Sequence, residues 1–121
     1  MFEVGIDKAR NLVMVTFRGH VDRAEAQQSR QQVAAVLEGV LPGFRLLTDL
    51  SELDSMEYDC APEIQASMDL FRTKGVAGIV RVIPDPRKDI GFKVMSYFHY
   101  GQAIPLVTSE TRAEALEKLA G

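Results

Sequence analysis

The chain has 121 residues, 46 % of them hydrophobic and 26 % charged, which is typical of a single soluble globular domain covering residues 1–121. The formal net charge is −3 and Lys and Arg form no cluster, which argues against a nucleic-acid partner. The apolar runs are shorter than the roughly 18–20 residues of a membrane span. Because the start of the chain lacks a signal-peptide pattern and the single Cys cannot form an internal disulfide, we expect a cytoplasmic protein.

The first elements in chain order predict a β-hairpin. Residues 2–6 alternate apolar and polar side chains, and residues 12–17 are rich in β-branched and large apolar side chains. A polar stretch between them predicts the loop that joins two antiparallel strands. Residues 19–22 are interpreted as the end of the second strand.

A helix and a third strand follow the hairpin. Asp22 and Glu25 have the spacing of an N-terminal capping pattern, and the helix is predicted to run to about Glu38. Residues 44–50 predict a buried strand. A strand, a helix and a strand in series indicate a parallel pair with a right-handed crossover.

The next helix is predicted to begin near Pro62, which suits a first helical turn, and to end at Gly75. Residues 76–83 are almost continuously apolar, as expected of a central strand covered on both faces.

The last part of the chain predicts a helix over residues 89–101, an edge strand over residues 104–108 that contains Pro105, and a final helix capped by Thr108 or Ser109. The order β-β-α-β-α-β-α-β-α predicts an α/β layered domain. Its mostly parallel five-stranded sheet has an N-terminal antiparallel hairpin and about four helices.

Several segments resemble the STAS domain family, the fold of bacterial anti-sigma-factor antagonists. The resemblance covers almost the whole chain, and it implies a STAS-like fold and a non-enzymatic module that binds a protein partner such as an anti-sigma-type kinase or regulator. Its motifs are FRGHVD (residues 17–22), LLTDLS (46–51), GVAGIV (75–80), and IPLVTS (104–109) with EAL (114–116).

The chain departs from the family at the start of the second helix. The family carries D-S-S-G there, and its second Ser accepts a phosphate that releases the partner. The same four places hold Glu57, Tyr58, Asp59 and Cys60, which implies that Asp59 stands where the acceptor Ser stands. An Asp caps backbone N–H groups and carries a permanent charge, so the switch is either fixed or absent, unless the acceptor has shifted to Ser51 or Ser55.

The segment around this departure is the predicted docking surface, together with the second helix. We expect the partner to contact Ser55, Met56, Glu57, Tyr58, Asp59 and Cys60. An acid–base or metal site is the alternative for the acidic side chains of this region, which are Asp49, Glu52, Asp54, Glu57 and Asp59. Asp49 and Asp54 are also suited to ordinary turn and cap hydrogen bonds.

Two further interpretations concern Cys60 and the carboxyl edge of the sheet. Cys60 is either a thiolate activated at a helix start or a small packing residue. Ligands of open α/β sheets bind beyond the carboxyl ends of the strands, and this alternative function, a small-ligand-binding domain or small enzyme, would use His20, Ser51, Asp85 and Arg87. No cofactor or metal is predicted.

The aromatic segment of residues 95–100 packs against the last strand or forms a homodimer contact.

Overall fold

The structure is a computed structural model that describes residues 1–85 and 104–120. Its strands are β1 (Phe2–Asp7), β2 (Leu12–Phe17), β3 (Gly19–Val21), β4 (Arg45–Asp49), β5 (Leu53–Met56), β6 (Gly78–Val82) and β7 (Leu106–Ser109). Its helices are α1 (Arg23–Leu37), α2 (Ala61–Lys74) and α3 (Arg112–Ala120), and a 3-10 turn (Tyr58–Cys60) precedes α2.

The main sheet has five strands in the order β1-β2-β4-β6-β7. β1 and β2 form the antiparallel hairpin, and the β2–β4, β4–β6 and β6–β7 pairs are parallel. The predicted five-stranded, mostly parallel sheet with an N-terminal hairpin is therefore confirmed. β7 is the last strand of this order, as the Pro before it indicated.

Helices cover both faces of the main sheet. The larger core lies between one face of the sheet and the α1–α2 pair, and it includes Phe44, Leu46, Ile64 and Phe71. A smaller core on the other face joins β2, β4 and β6 to α3 through Ala115 and its neighbours. Because β4 is covered on both faces, all of its residues except Arg45 are buried, including the polar Thr48 and Asp49.

The sequence did not predict a second, two-stranded sheet formed by β3 and β5. These strands run parallel, with His20 opposite Ser55 and Val21 opposite Met56. The interpretation of residues 19–22 as the end of β2 is wrong, because the chain leaves the main sheet at Arg18 and pairs elsewhere. The Gly19 N–H donates to the Glu52 carbonyl (2.9 Å), and Gly19 adopts a φ of 63° that few other residues tolerate.

The helix ends test the capping predictions. Asp22 caps α1, since its Oδ1 accepts the Glu25 N–H at 2.9 Å, and Gly75 ends α2 in the left-handed region with a φ of 98°. The cap predicted for the final helix is wrong. Thr111 caps α3 by accepting the Glu114 N–H at 3.1 Å, which starts the helix later than expected. The helix predicted over residues 89–101 lies outside the described residues.

Substitution of the buried Phe44 should test the larger core. Its side chain is fully buried and its ring centroid lies 6.3 Å from that of Phe71. We expect Phe44→Ala to lower the free energy of unfolding in urea by about 3–5 kcal/mol, because the truncation leaves a cavity between the sheet and α2. Leu41→Ala is the matched control, because Leu41 is 72 % exposed, and its effect should stay within about 0.5 kcal/mol. Equal losses in the two variants would contradict this description of the core.

Candidate functional site

Three buried side chains anchor the segment between β4 and α2 to the larger core. Leu53, Met56 and Cys60 are buried in the larger core, and the Glu57 N–H donates to the Val21 carbonyl at 3.0 Å. Glu57 and Tyr58 lie between these anchors and are exposed. This acidic stretch is therefore a short strand and a 3-10 turn fixed against the core.

The predicted docking residues, segment 55–60, differ in how far their side chains are exposed to solvent. Tyr58 is 75 % exposed, Glu57 is exposed, and Ser55 and Asp59 are half-buried. Met56 and Cys60 are buried, so their side chains support the segment rather than present a surface.

Asp59 does not cap α2, so this part of the sequence interpretation is wrong. The residue before α2 is Cys60, which makes no side-chain cap hydrogen bond. Asp59 lies in the 3-10 turn, and its Oδ1 is buried with no hydrogen-bond partner among residues 1–85 and 104–120. The physical reason is local: the turn continues directly into α2, and Pro62 has no N–H to donate to a carboxylate at position 59.

The buried carboxylate of Asp49, at the end of β4, binds α3 on the sheet face opposite α1 and α2. Arg112, the first residue of α3, donates to Asp49 Oδ2 (3.0 Å) and to Thr16 Oγ1 (3.2 Å). Asp49 Oδ1 accepts the N–H (2.9 Å) and the hydroxyl (2.6 Å) of Ser51, as the turn interpretation of Asp49 predicted. Burial alone would raise the pKa of Asp49, but the Ser51 hydrogen bonds and Arg112 outweigh it and hold that pKa below its usual value.

Cys60 is placed as a packing residue. Its Sγ is 3.6 Å from the Val21 carbonyl, to which it donates. The pKa of the thiol is raised to about 11, mainly by burial and further by the negative charges of Asp59, Glu57 and Asp22. A thiol in this environment is protonated at neutral pH, which weighs against the activated-thiolate interpretation.

The predicted carboxyl-edge ligand set is not brought together as one site by the described residues. His20 Nδ1 lies 2.6 Å from Ser55 Oγ, and His20 Nε2 lies 3.8 Å from Glu57 Oε1. Ser51 instead bonds to Asp49. Asp85 is half-buried, and Arg87 lies outside the described residues, as do residues 95–100 with their predicted homodimer contact.

Two cavities formed by residues 1–85 and 104–120 lie away from that set. One of about 20 Å³ lies inside the larger core, lined by Val15, Phe17, Ser29, Val33, Thr48, Ile64, Ser67, Met68 and Phe71. An open groove of about 270 Å³ lies between the ends of α1 and α2, lined by Ala34, Leu37, Glu38, Leu70, Thr73 and Lys74. Neither is lined by His20, Ser51 or Asp85. The first has room for about one water molecule.

Three of the acidic side chains of this region each have a different basic partner. Glu52 accepts from the Arg18 guanidinium at 2.6 Å, Glu57 lies near His20, and Asp49 is bound by Arg112. Within residues 1–85 and 104–120, no three or more His, Cys, Asp or Glu side chains are placed to hold a metal ion. The helices of these same ranges include none long and apolar enough to cross a bilayer.

Solved structures with a similar fold include the anti-sigma factor antagonist SpoIIAA. Its unphosphorylated form superposes with a TM-score of 0.68 at 18 % identity, covering 100 % of this chain and 99 % of that one. The chain has the STAS fold. The phosphorylated form of SpoIIAA from Bacillus gives a TM-score of 0.65 at 18 % identity, covering 98 % of this chain and 99 % of that chain.

A third STAS-fold structure is a Shewanella loihica PV-4 protein of the DUF3478 family, described as having a SpoIIAA-like fold. It matches with a TM-score of 0.67 at 17 % identity over 98 % of this chain and 93 % of that chain. No family model matches this sequence, and no curated protein does. The STAS resemblance of the motifs is confirmed at the level of fold.

Two features of the site were missed by sequence reasoning. The strand β5 contains only Leu53 and Met56 as apolar residues, which is too few for a recognisable strand pattern. Arg112 had a usable signal, because a basic residue at the first position of a helix opposes the helix dipole. A carboxylate from another element can offset this unfavourable placement, and here that carboxylate is Asp49.

The Asp49–Arg112 pair should make stability depend on pH. Because the folded-state pKa of Asp49 is lowered, its stabilising contribution is present above the unfolded pKa of about 3.9 and is lost as the pH falls through the folded value. We expect the wild type to lose more stability than Asp49→Asn between about pH 6 and pH 2, measured by urea unfolding. At neutral pH Asp49→Asn should cost about 1–3 kcal/mol.

Asp69→Asn is the control for this experiment. Asp69 is an exposed carboxylate that contacts Gln65 and Arg72 on the surface of α2, and its loss should cost less than about 1 kcal/mol. Parallel pH profiles for the wild type and Asp49→Asn would contradict the proposed linkage.

Alkylation should report the burial and the raised pKa of Cys60. We expect iodoacetamide to modify the native thiol at least about a hundredfold more slowly at pH 7.5 than the urea-unfolded thiol, because the thiolate population is small and access is blocked. The native rate should continue to rise above about pH 9, whereas the unfolded rate should level off near the ordinary thiol pKa of about 8.5. Equal native and unfolded rates at pH 7.5, followed by mass spectrometry, would show an accessible thiolate instead.

Proposed function

We propose that the chain is a non-enzymatic protein-interaction module of the anti-sigma factor antagonist type, and that it docks a partner through segment 55–60 and the exposed face of α2. The observation that carries the proposal is the exposure of Tyr58, at 75 %, between the buried anchors Met56 and Cys60. An exposed Tyr offers a large contact area with a polar hydroxyl, and Tyr is enriched at the energetic centres of protein interfaces.

The surface around Tyr58 continues along α2. Pro62, Gln65 and Asp69 follow it at intervals of about one helical turn and are all exposed. The Gln65 side-chain amide donates to Asp69 Oδ1 at 3.2 Å. Tyr58 is therefore one end of an exposed stripe that a partner surface can cover.

Ion pairs make this stripe a rigid part of the domain. Glu63 at the start of α2 accepts from Arg30 of α1 at 2.6 Å and lies 4.0 Å from Arg23. The Glu63 side chain is only 12 % exposed, so the pair is partly shielded from solvent and holds α2 against α1. A surface that is already ordered loses little conformational entropy when a partner binds.

The charge of the segment favours a partner with basic groups around an apolar pocket. Glu57 and Asp59 flank Tyr58 in sequence, and the buried Oδ1 of Asp59 has no hydrogen-bond partner within the described ranges. Unsatisfied polar groups are tolerated mainly at functional sites. The anti-sigma factor antagonists that share the fold support a partner of the anti-sigma regulator class.

Truncation of Tyr58 should remove the docking function without unfolding the domain. We expect Tyr58→Ala to weaken partner binding by at least about thirtyfold, which corresponds to a loss of about 2 kcal/mol. The measurement is quantitative affinity capture from the native cells, followed by titration calorimetry with the purified partner.

Leu41→Ala is the control for this measurement, because it removes another exposed apolar side chain, 72 % exposed, that lies outside segment 55–60 and α2. The variant should bind like the wild type. If Tyr58→Ala and the wild type recover the same proteins with equal affinity, the docking surface is elsewhere.

A further inference from the structure

The pairing of β3 with β5 brings a hydroxyl and an imidazole into direct contact. His20 and Ser55 are opposite each other in the ladder, so their side chains lie on the same face of this small sheet. Ser55 Oγ is 2.6 Å from His20 Nδ1, a short hydrogen bond for an oxygen and a ring nitrogen. The contact is set by strand register rather than by flexible loops, so the two groups are pre-positioned.

A carboxylate lies at the other nitrogen of the same ring. Glu57 Oε1 is 3.8 Å from His20 Nε2, and the backbone of Glu57 is fixed by its N–H bond to the Val21 carbonyl. The negative charge favours a proton on Nε2, which leaves Nδ1 as the acceptor of the Ser55 hydroxyl. A hydroxyl hydrogen-bonded to a base, with a carboxylate within ion-pair distance on the other side of that base, is an arrangement that can activate a nucleophile.

Small molecules can reach this pair. The His20 and Glu57 side chains are 57 % and 48 % exposed, and Ser55 is half-buried. Neither of the two cavities described above is lined by them, so the expected substrates are small and intrinsically reactive.

We propose that Ser55 Oγ is a nucleophile that accepts an acyl group from small activated carboxylic esters, with His20 as its general base. The site shares Ser55 and Glu57 with the proposed docking segment, but its chemistry does not require a bound partner.

The reaction balances with the groups present. A lone pair of Ser55 Oγ attacks the ester carbonyl carbon while the hydroxyl proton moves to Nδ1 of His20, and the Glu57 carboxylate stabilises the resulting imidazolium. The carbon–oxygen bond to the leaving group then breaks, and the released alcohol takes the proton back from Nδ1. The products are the Ser55 ester, the free alcohol and neutral His20.

Other serines of the described chain lack this environment. The Ser51 hydroxyl donates to the Asp49 carboxylate, whose lowered pKa makes it a weak base. Ser29, Ser67 and Ser109 are buried. Ser51 therefore serves as an internal control in the same molecule, since it is also half-buried and close in sequence.

The test uses the full chain and 4-nitrophenyl acetate, with peptide mass spectrometry to locate and time the acetyl groups. We expect Ser55 to be acetylated at least about tenfold faster than Ser51, with one nitrophenolate released per acetyl group. His20→Gln should slow acetylation of Ser55 by about a hundredfold, the size of a typical general-base contribution.

Glu57 acts through His20, so it is a positioning residue and needs a separate readout. Glu57→Gln should slow acetylation of Ser55 by about threefold, as expected for an exposed charge pair. The same substitution in the His20→Gln background should have no further effect, whereas a general structural role would lower the rate in both backgrounds.

Three results would overturn the proposal: equal rates at Ser55 and Ser51, an unchanged Ser55 rate in a folded His20→Gln variant, or acetylation only on the His20 ring. The comparison of the two serines needs no variant, so it decides the question even if a substitution disturbs folding. Partner capture by the Tyr58 surface is measured independently, and either proposal can fail alone.

Discussion

The pairing of β3 with β5 is the constraint on which the candidate surface depends. Val21 is central to it, because its carbonyl accepts the Glu57 N–H and the Cys60 thiol. With Leu53, Met56 and Cys60 buried below, the backbone from residue 53 to α2 has little freedom. The buried anchors on both sides hold the Tyr58 backbone at the surface. The strand register places His20 opposite Ser55.

The charged groups of the protein are distributed so that those with structural roles are paired and shielded. Arg112 satisfies Asp49 across one face of the sheet, and Arg30 satisfies Glu63 between the two helices of the other face. Breaking such a partly buried pair leaves a charge without compensation, which is why each pair fixes the relative position of two elements. Glu57 and Asp59 are different, since their charges stabilise no interface between helices and remain near the surface.

Asp59 shows how a local rule yields to its context. A short acidic residue before a helix normally caps it, and the sequence resemblance implied that relatives carry a modifiable hydroxyl at this position. Here the 3-10 turn runs straight into α2, and Pro62 removes one of the N–H groups that a cap would bind. The Asp59 side chain makes no cap hydrogen bond to α2, so the position differs from a simple replacement of a capping Ser.

The five strands of the main sheet, the hairpin, the parallel pairs, the Asp22 cap and the Gly75 helix end could all be predicted from the sequence. These features depend on local periodicity and on residues with special backbone preferences, and such signals are contained within a few neighbouring positions. The STAS resemblance rested on the same kind of signals.

Only the tertiary structure decided the β3–β5 sheet, the His20–Ser55 contact and the Asp49–Arg112 pair. The residues in these contacts are separated by 35 and 63 positions, and no periodicity links groups that meet only after the chain has folded. It also decided that Met56 and Cys60 support the surface instead of forming it, since burial depends on what packs above a residue. The sequence determines which side chains are available, and long-range packing determines which of them meet.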